Sequence, residues 1–355
     1  MIQIPSSSEL EELCDYLASL ANDRSWPAEA LQRCAEAGFY RWFVSKEQGG
    51  FGWTSAEIAR GYLELGRANL PVTFILTQRV AALRRIAGCD NEGLKQRMLE
   101  PFLAGETSAT VGISQLTTSR QHLGKPVLSA IETEDGFRVD GMTPWVTGGS
   151  GCDWILAGGS VVDPSGTANG KEILFVVPTS DPKVKVNPGF DLLALSNSHT
   201  GGVEISDLAV PLENIVAGPT EQVLVGNGEG AGGLQTSVLA LGLAKAAIDF
   251  IETESQRREG LAPAQTALRQ QHAALCRDLF AAADGSTKVT AAEIRSQANS
   301  LVLRATQSAL VAAKGAGFVT GHPVGRWCRE ALFFLVWSCP HEVAQANLDE
   351  FAPCH

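Results

Sequence analysis

The sequence predicts an α+β protein, mostly helical, in which a small antiparallel β-barrel or sandwich lies between two helical bundles. Apolar residues first recur every three to four positions, and from Thr107 their spacing changes to two. The helical spacing returns at about Gly226. These changes divide the chain into an N-terminal helical domain at 1–108, a middle β-domain at 109–222 and a C-terminal helical bundle at 223–355.

The N-terminal helices have recognisable start signals. Ser6 and the glutamates after it begin the first helix, Pro27 begins the second, and Thr54 or Ser55 caps the third. Apolar spacing adds two more, so that helices are expected from about residue 6, at 27–37, from 54, at 70–87 and at 91–103.

Short segments rich in β-branched residues follow, with glycine, proline and aspartate between them, as in a compact antiparallel domain. Pro211 and Pro219 are expected to close this domain. The predicted strands lie at 110–113, 126–131, 136–140, 155–157, 172–177, 183–186 and 202–205.

The C-terminal region is rich in alanine and leucine at helical spacing, which predicts three long helices and a shorter last one. They are expected at 234–259, 266–283, 291–313 and 323–336.

Composition limits the classes of function. The 355 residues carry a formal net charge of −11 and no basic run longer than an arginine pair, which argues against nucleic acid and membrane as partners. The eight cysteines are scattered without a Cys-x-x-Cys pair, so no metal site is predicted. Because the N-terminus has no apolar secretory segment, we expect a cytoplasmic protein.

The segment Gly141–Gly149 contains a tryptophan, a threonine two residues later and two glycines. Along a strand, Trp145 and Thr147 share a face, where an aromatic plate and a hydroxyl suit a planar polar ring. The same residues fit a hairpin with tryptophan in the core and glycine in the turn, and alone they favour the hairpin.

Four segments occur in an order that is typical of one family. They are the turn Lys46–Gly52 with its Gly-Gly-Phe-Gly, the Trp-Val-Thr-Gly-Gly of Gly141–Gly149, the strand Thr200–Pro211 with its Val-Pro ending, and Gly317–Arg329 before the last core helix. With the order bundle, β-domain, bundle, they resemble the acyl-CoA dehydrogenase family over nearly the whole chain.

The resemblance implies an FAD cofactor. In the family, the segment that matches Trp145 and Thr147 runs along the isoalloxazine, so Thr147 is expected to hydrogen-bond near its N5 atom. Thr117 corresponds to a pyrimidine-side hydroxyl and Ser119 to a pyrophosphate contact, although the family's Glu-Pro-Gly-Ala-Gly run is missing here. On the C-terminal bundle the resemblance assigns three residues to FAD: Arg258, whose counterpart reaches a neighbouring subunit's pyrophosphate, Gln270 on a helix, and Gly315 in an adenine-side turn.

The catalytic base departs from the family. Members remove the α-proton of an acyl thioester with a carboxylate, but Ser338 stands at the usual glutamate position, and a serine needs its own activator. Glu229, in a glycine-rich loop near an alternative family position, is the candidate substitute, although on local grounds a solvated loop charge is favoured. His341, beyond Pro340, and Glu330, expected in a structural ion pair, are further candidates.

The resemblance implies an oxidoreductase of fatty acid metabolism that dehydrogenates an acyl thioester of CoA or a carrier protein, with an altered or relocated base. Two other functions stay open: a flavin-dependent monooxygenase on the same fold, and a non-catalytic or half-site subunit that donates Arg258 to a partner's FAD. The resemblance also implies a homodimer or homotetramer and allows an electron-accepting flavoprotein as partner.

Overall fold

The computed structural model describes residues 6–20, 24–117, 126–224 and 233–353 of the chain. Two groups of helices flank an eight-stranded sheet in the predicted order, which confirms the predicted fold class. The helices before the sheet are α1 (Ser7–Ser19), α2 (Ala28–Glu36), α3 (Ser55–Ala68), α4 (Leu70–Ala87) and α5 (Glu92–Leu103).

The start signals in the sequence act as helix caps in the structure. Ser6 and Glu9 form a capping box at the start of α1, and Thr54 and Glu57 form another at the start of α3. Asn69 caps α4, where its side-chain oxygen accepts a backbone N–H at 3.1 Å. Most residues of α4 are buried, because this helix packs against α3, α5, α7 and the first strand of the sheet.

The sheet has the strand order β6-β7-β3-β2-β4-β5-β8, with β1 paired to β4. A short helix, α6 (Ser114–Thr117), follows β1. The strands are β1 (Ala109–Gly112), β2 (Leu128–Thr133), β3 (Gly136–Val146), β4 (Trp154–Val162), β5 (Ala168–Pro178), β6 (Val184–Val186), β7 (Gly201–Pro211) and β8 (Ile215–Thr220).

Two details of the sheet differ from the predicted β-domain. Both β1 and β2 pair with β4 in parallel, with Ala109 opposite Trp154 in the first ladder, so the sheet is mixed. The chain also continues past Pro211 into β8, which pairs with β5 at the edge of the sheet. An edge strand tolerates Pro219, because proline lacks only a donor that the sheet does not need there.

The helices after the sheet follow the predicted pattern until the last one. They are α7 (Leu234–Ser255), α8 (Ala262–Ala283), α9 (Ala291–Ala313), α10 (Pro323–Phe333) and α11 (His341–Phe351). The predicted extension of the last helix to Val336 is wrong, and α11 was not predicted. The turn that replaces the extension is held from α9, where Arg295 Nη2 donates to the carbonyls of Phe334 at 2.9 Å and Trp337 at 3.0 Å.

One buried apolar cluster joins both helical groups and the adjoining face of the sheet. Where α3 crosses α7, a Cβ added to Gly242 would lie 2.6 Å from the Leu63 carbonyl oxygen, so the two backbones meet closely. By length and composition α7 is apolar enough to cross a membrane, but 67% of that window is buried inside the protein. Its apolar character is therefore that of a core helix.

Candidate functional site

A cavity of about 840 Å³ lies where α4, the end of β3 and the turn after α10 meet. Its α4 residues follow the i, i+3, i+4, i+7 pattern of a helix, so they share one face of α4, over about 16 Å. These residues are Phe74, Thr77, Gln78, Ala81 and Arg85. A second concavity, of about 620 Å³, lies on the N-terminal helices and contains none of the predicted site residues.

Six described lining residues are exposed and surround the opening of the cavity, which is called its open side: Trp145, Leu193, Arg329, Leu332, Val336 and Ser338. The α4 stripe and the residues at the end of β1 form the buried wall behind them.

The end of β3 presents Trp145 and Thr147 to the cavity, as the alternation of the strand predicts. The indole of Trp145 is 48% exposed and meets Phe190 edge to face, with ring centroids 4.9 Å apart. Thr147 is buried, and its Oγ1 lies 2.9 Å from Thr200 Oγ1, which lies 2.8 Å from Ser198 Oγ. A chain of hydroxyls therefore fixes Thr147 in place.

The turn after Thr147 is held by the N-terminal helices, a contact that the sequence did not predict. Gly148 has a φ of 67°, and a Cβ added to it would lie 2.6 Å from Trp26 Cη2. The buried Arg79 donates from Nη2 to the Gly151 carbonyl at 2.9 Å and from Nη1 to Tyr40 Oη at 3.2 Å. No local pattern identifies such long-range contacts.

Two hydroxyls of α6 line the cavity beside this edge. Thr117, predicted for the pyrimidine side of the cofactor, donates from Oγ1 to the Ser114 carbonyl at 2.9 Å. Ser114, which the sequence reasoning missed, has a buried Oγ with no hydrogen-bond partner among the described residues. Its position two residues after the end of β1 was the signal that the sequence offered. Ser119 lies outside the described residues.

Ser338, which the resemblance predicts at the family's glutamate position, lies in the turn between α10 and α11 and lines the open side of the cavity. Its φ is 43°, in the left-handed region. Beside it, Trp337 stacks on Phe333 with ring centroids 5.2 Å apart and meets Phe74 of α4 at 5.0 Å. His341 begins α11 beyond Pro340, and Glu229 lies outside the described residues.

The described lining of the cavity contains two arginines, Arg85 and Arg329, and no aspartate or glutamate. Glu330 of α10 is buried elsewhere, in an ion pair with Arg326 at 3.3 Å. Burial raises the pKa of the Glu330 carboxyl above its ordinary value, against the smaller opposing effects of two arginines.

The remaining predicted cofactor residues lie on the C-terminal bundle, away from the cavity. Arg258, after α7, pairs with Glu254 and donates to the Ala312 carbonyl near the end of α9. Gly315 lies two residues after the end of α9, with open space where a Cβ would be, so it lies close to Arg258 in the structure. Gln270 is exposed on α8, two turns from the start of that helix.

The cavity residues fit a planar polar cofactor. Trp145 supplies an aromatic face, Thr147 a fixed hydroxyl, and Ser114 a buried hydroxyl whose hydrogen-bonding capacity the described chain leaves unused. Strand β2 pairs with β3 only over Gly136–Gly141, so this ladder does not cover the β3 segment that carries Trp145.

Comparisons with known proteins agree on one family. Residues 10–106 match the model of the acyl-CoA dehydrogenase N-terminal domain. The probable acyl-CoA dehydrogenase fadE25 of Mycobacterium leprae is 21% identical over 94% of this chain and 89% of its own length. The probable acyl-CoA dehydrogenase YngJ of Bacillus subtilis is 22% identical over 67% of this chain, and the match spans 63% of that relative.

Solved structures show the same fold at low identity. Butyryl-CoA dehydrogenase from Megasphaera elsdenii superposes with a TM-score of 0.82, at 17% identity, over 99% of this chain and 100% of that one. The dibenzothiophene monooxygenase TdsC from Paenibacillus sp. A11-2 gives 0.74 at 14% identity, over 97% and 96% of the two chains.

Proposed function

Because the chain is a member of the acyl-CoA dehydrogenase family, we propose that it is a flavin-dependent oxidoreductase that dehydrogenates an acyl thioester. The observation that carries the proposal is the wall formed by Trp145, Thr147 and Ser114, which offers an aromatic plate and two hydroxyls to a planar ring. A bound flavin, proposed to be FAD, supplies the acceptor for the hydride that leaves the acyl β-carbon.

The hydroxyls of this wall are proposed to orient the ring. Thr200 holds the Thr147 hydroxyl, so that hydroxyl keeps one direction when a ring edge approaches. Ser114 Oγ gains the hydrogen bond that the described chain does not give it. Thr117 and Ser119 are proposed to continue the contacts toward the pyrimidine side and the pyrophosphate.

The group that takes the α-proton is proposed to come from the side of the cavity opposite the ring. Ser338 lines that side, but its hydroxyl has no described partner that would activate it as a base. Glu229 precedes Gly233, a lining residue, by four positions in the sequence, and four residues span at most about 13 Å. We therefore propose a relocated base, with Glu229 as its candidate.

A second subunit is proposed to complete the cofactor site. Arg258, Gln270 and Gly315 lie on the C-terminal bundle, outside the cavity of their own chain. A guanidinium binds phosphate oxygens bidentately, so Arg258 is proposed to bind the pyrophosphate of a neighbouring subunit's FAD in a homodimer or homotetramer. Several large apolar side chains of this bundle are exposed and support the proposal: Val311, Phe318, Val319, Leu348 and Phe351.

Two alternatives each have an observation in their favour. A flavin-dependent monooxygenase on this fold needs no carboxylate base, and the described lining of the cavity holds none. A half-site subunit that donates Arg258 to a partner needs no base either.

We propose a cytoplasmic location, because the seven described cysteines are free thiols, as in a reducing compartment.

Anaerobic mixing with acyl-CoAs tests the proposed function. We expect the purified protein to show flavin absorbance and to lose it on mixing with at least one saturated acyl-CoA. Extraction and chromatography of the flavin identify FAD. Oxygen consumption that depends on supplied reduced flavin and a substrate, without bleaching by any acyl-CoA, would instead favour the monooxygenase. Absence of flavin from the chain purified alone would favour the half-site subunit.

A further inference from the structure

The guanidinium of Arg85 is buried in the wall of the cavity, and no described residue supplies a counter-charge to it. Only 7% of this residue is exposed. Its Nη1 donates to the Ala81 carbonyl one turn earlier in α4, at 2.9 Å, and its Nε is buried with no partner among the described residues. Burial, and to a smaller extent Arg84, lower the pKa of the guanidinium, yet arginine keeps its charge.

The other fully described buried arginines are bound by the protein more completely. Arg41 forms an ion pair with Glu100 at 2.8 Å. Arg79 binds a carbonyl and a tyrosine hydroxyl, and Arg295 binds Asn299 and two carbonyls. Arg85, in contrast, has one bond to its own helix and faces the cavity.

The charge of the cavity points to an anionic ligand group at this place. A buried charge without a partner is costly, and a carboxylate that binds it bidentately removes that cost. The described lining holds two arginines and no acid, in a chain of net charge −11, so the positive charge is local to the cavity. Arg329 is exposed on the open side, whereas Arg85 belongs to the buried wall.

We propose that Arg85 binds a carboxylate at the far end of the acyl group, so that the preferred substrates are thioesters of dicarboxylic acids. This inference rests on the proposed function, because it assumes that an acyl thioester enters this cavity. Along α4, Arg85 lies about 16 Å from Phe74, which contacts Trp337 beside Ser338. The cavity thus has room for an acyl chain between its open side and the guanidinium.

Matched pairs of thioesters test the proposal by binding alone. The probes are adipoyl-, sebacoyl- and dodecanedioyl-CoA, whose acyl chains increase in length toward the distance that separates Arg85 from Phe74. Each is compared with the monocarboxylic acyl-CoA of the same carbon number and titrated into the holoenzyme under anaerobic conditions. We expect the wild type to bind at least one dicarboxylic thioester about tenfold to a hundredfold more tightly than its partner, as one charge-assisted contact provides. Arg85→Gln should abolish this preference and leave the affinity for the monocarboxylic thioester within about threefold of the wild-type value.

Two further variants keep the result interpretable. Arg85→Lys should retain part of the preference, since it keeps the charge without the fork. Arg84→Gln removes the neighbouring exposed arginine, which does not line the cavity, and should leave the preference unchanged. Equal binding of both thioester classes by the wild type would overturn the proposal, as would an Arg85→Gln variant that keeps the preference. The proposal would also be overturned if Arg85→Gln changed the flavin content or the reduction potential but left the dicarboxylic preference unchanged.

The readout separates this proposal from the proposed function. A dicarboxylic preference without loss of flavin absorbance would uphold the role of Arg85 and count against dehydrogenation. Loss of flavin absorbance with both thioester classes, at equal affinity, would support dehydrogenation and count against the role of Arg85.

Discussion

The cavity has two walls that differ in how their chemistry is fixed. At the end of β3, Thr147 is held by a chain of hydroxyls, and the turn after it is packed against Trp26 and bound by Arg79. Across the cavity, Ser338 lies exposed in a left-handed turn between two helices, and no described carboxylate lines that side. The first wall is held by several contacts between residues that are far apart in the sequence, whereas the second depends on single side chains.

The difference shows why two parts of one site can diverge separately. A substitution in the first wall disturbs glycine packing and a buried guanidinium, so it affects stability as well as binding. Ser338 is exposed, so a substitution there disturbs no packing and changes only the functional group that faces the substrate. The first wall carries the residues that resemble the family's flavin segment, whereas the described lining of the second wall contains no acid.

Gly148→Ala should break the first wall. The new Cβ would meet Trp26 at 2.6 Å, in a turn with a φ of 67°. We expect a loss of about 3 kcal/mol in the free energy of unfolding and little retained flavin. Calorimetry and flavin absorbance per chain measure both. The matched control is Gly93→Ala, where the nearest atom is 3.6 Å away and stability should be unchanged or slightly higher.

Ser338→Glu should restore a carboxylate to the second wall. If the base is the missing part, the rate of flavin bleaching by a bound acyl-CoA should rise about a hundredfold, which is within the range of general base catalysis. Rapid-mixing absorbance measures the rate, and Ser338→Gln controls for size without charge. An unchanged rate in Ser338→Glu would show that the base is already supplied elsewhere, in agreement with Glu229.

Thr147→Val should weaken the first wall without unfolding it. The substitution removes the hydroxyl and keeps the shape, so flavin should bind about tenfold more weakly, the cost of one hydrogen bond. Thr147→Ser restores the hydroxyl and should recover most of the affinity. Fluorescence titration of the apoprotein with FAD compares the variants. Equal affinity in all three would show that this hydroxyl does not contact the cofactor.

Glu330→Gln tests whether the buried acid of α10 acts in the second wall. Because Glu330 does not line the cavity, activity should change by less than about threefold. Its folded pKa is raised above the ordinary 4.5, so the folded state holds the proton more tightly. Wild-type stability relative to the variant should therefore fall as pH rises from about 4.5 through the raised pKa, and then stay level. Unfolding in urea at pH 4 to 8 measures this, and a large loss of activity would make Glu330 a candidate base.

The sequence predicted what depends on local pattern. Periodicity placed α9 at the residues where the structure has it, and strand alternation brought Trp145 and Thr147 to one cavity. It could not predict that Trp26 packs on the turn after Thr147, because Trp26 and Gly148 lie 122 positions apart in the sequence. The role of Arg85 could not be predicted for a related reason. In the sequence the pair Arg84-Arg85 is typical of a helix surface, and only the packing of α4 shows that Arg85 is buried.

Helix α10 shows another limit. Its apolar spacing continues to Val336, yet the helix ends at Phe333, because Arg295 and Asn299 of α9 bind the Phe334 carbonyl. A tertiary competitor for backbone groups cannot be seen in the spacing of residues.

The close crossing of α3 and α7 at Gly66 and Gly242 bears on how the protein is made. The matched N-terminal family region, 10–106, ends before α7 is synthesised, so on the ribosome α3 first exists without the helix that covers it. Leu63 and Leu65 belong to the core shared with α7. In a nascent chain that lacks α7 these apolar side chains are uncovered and can aggregate with other chains. We expect the proposed boundary at residue 108 to yield a fragment that is poorly soluble alone, and completion of the last helices to coincide with the gain of cooperative folding.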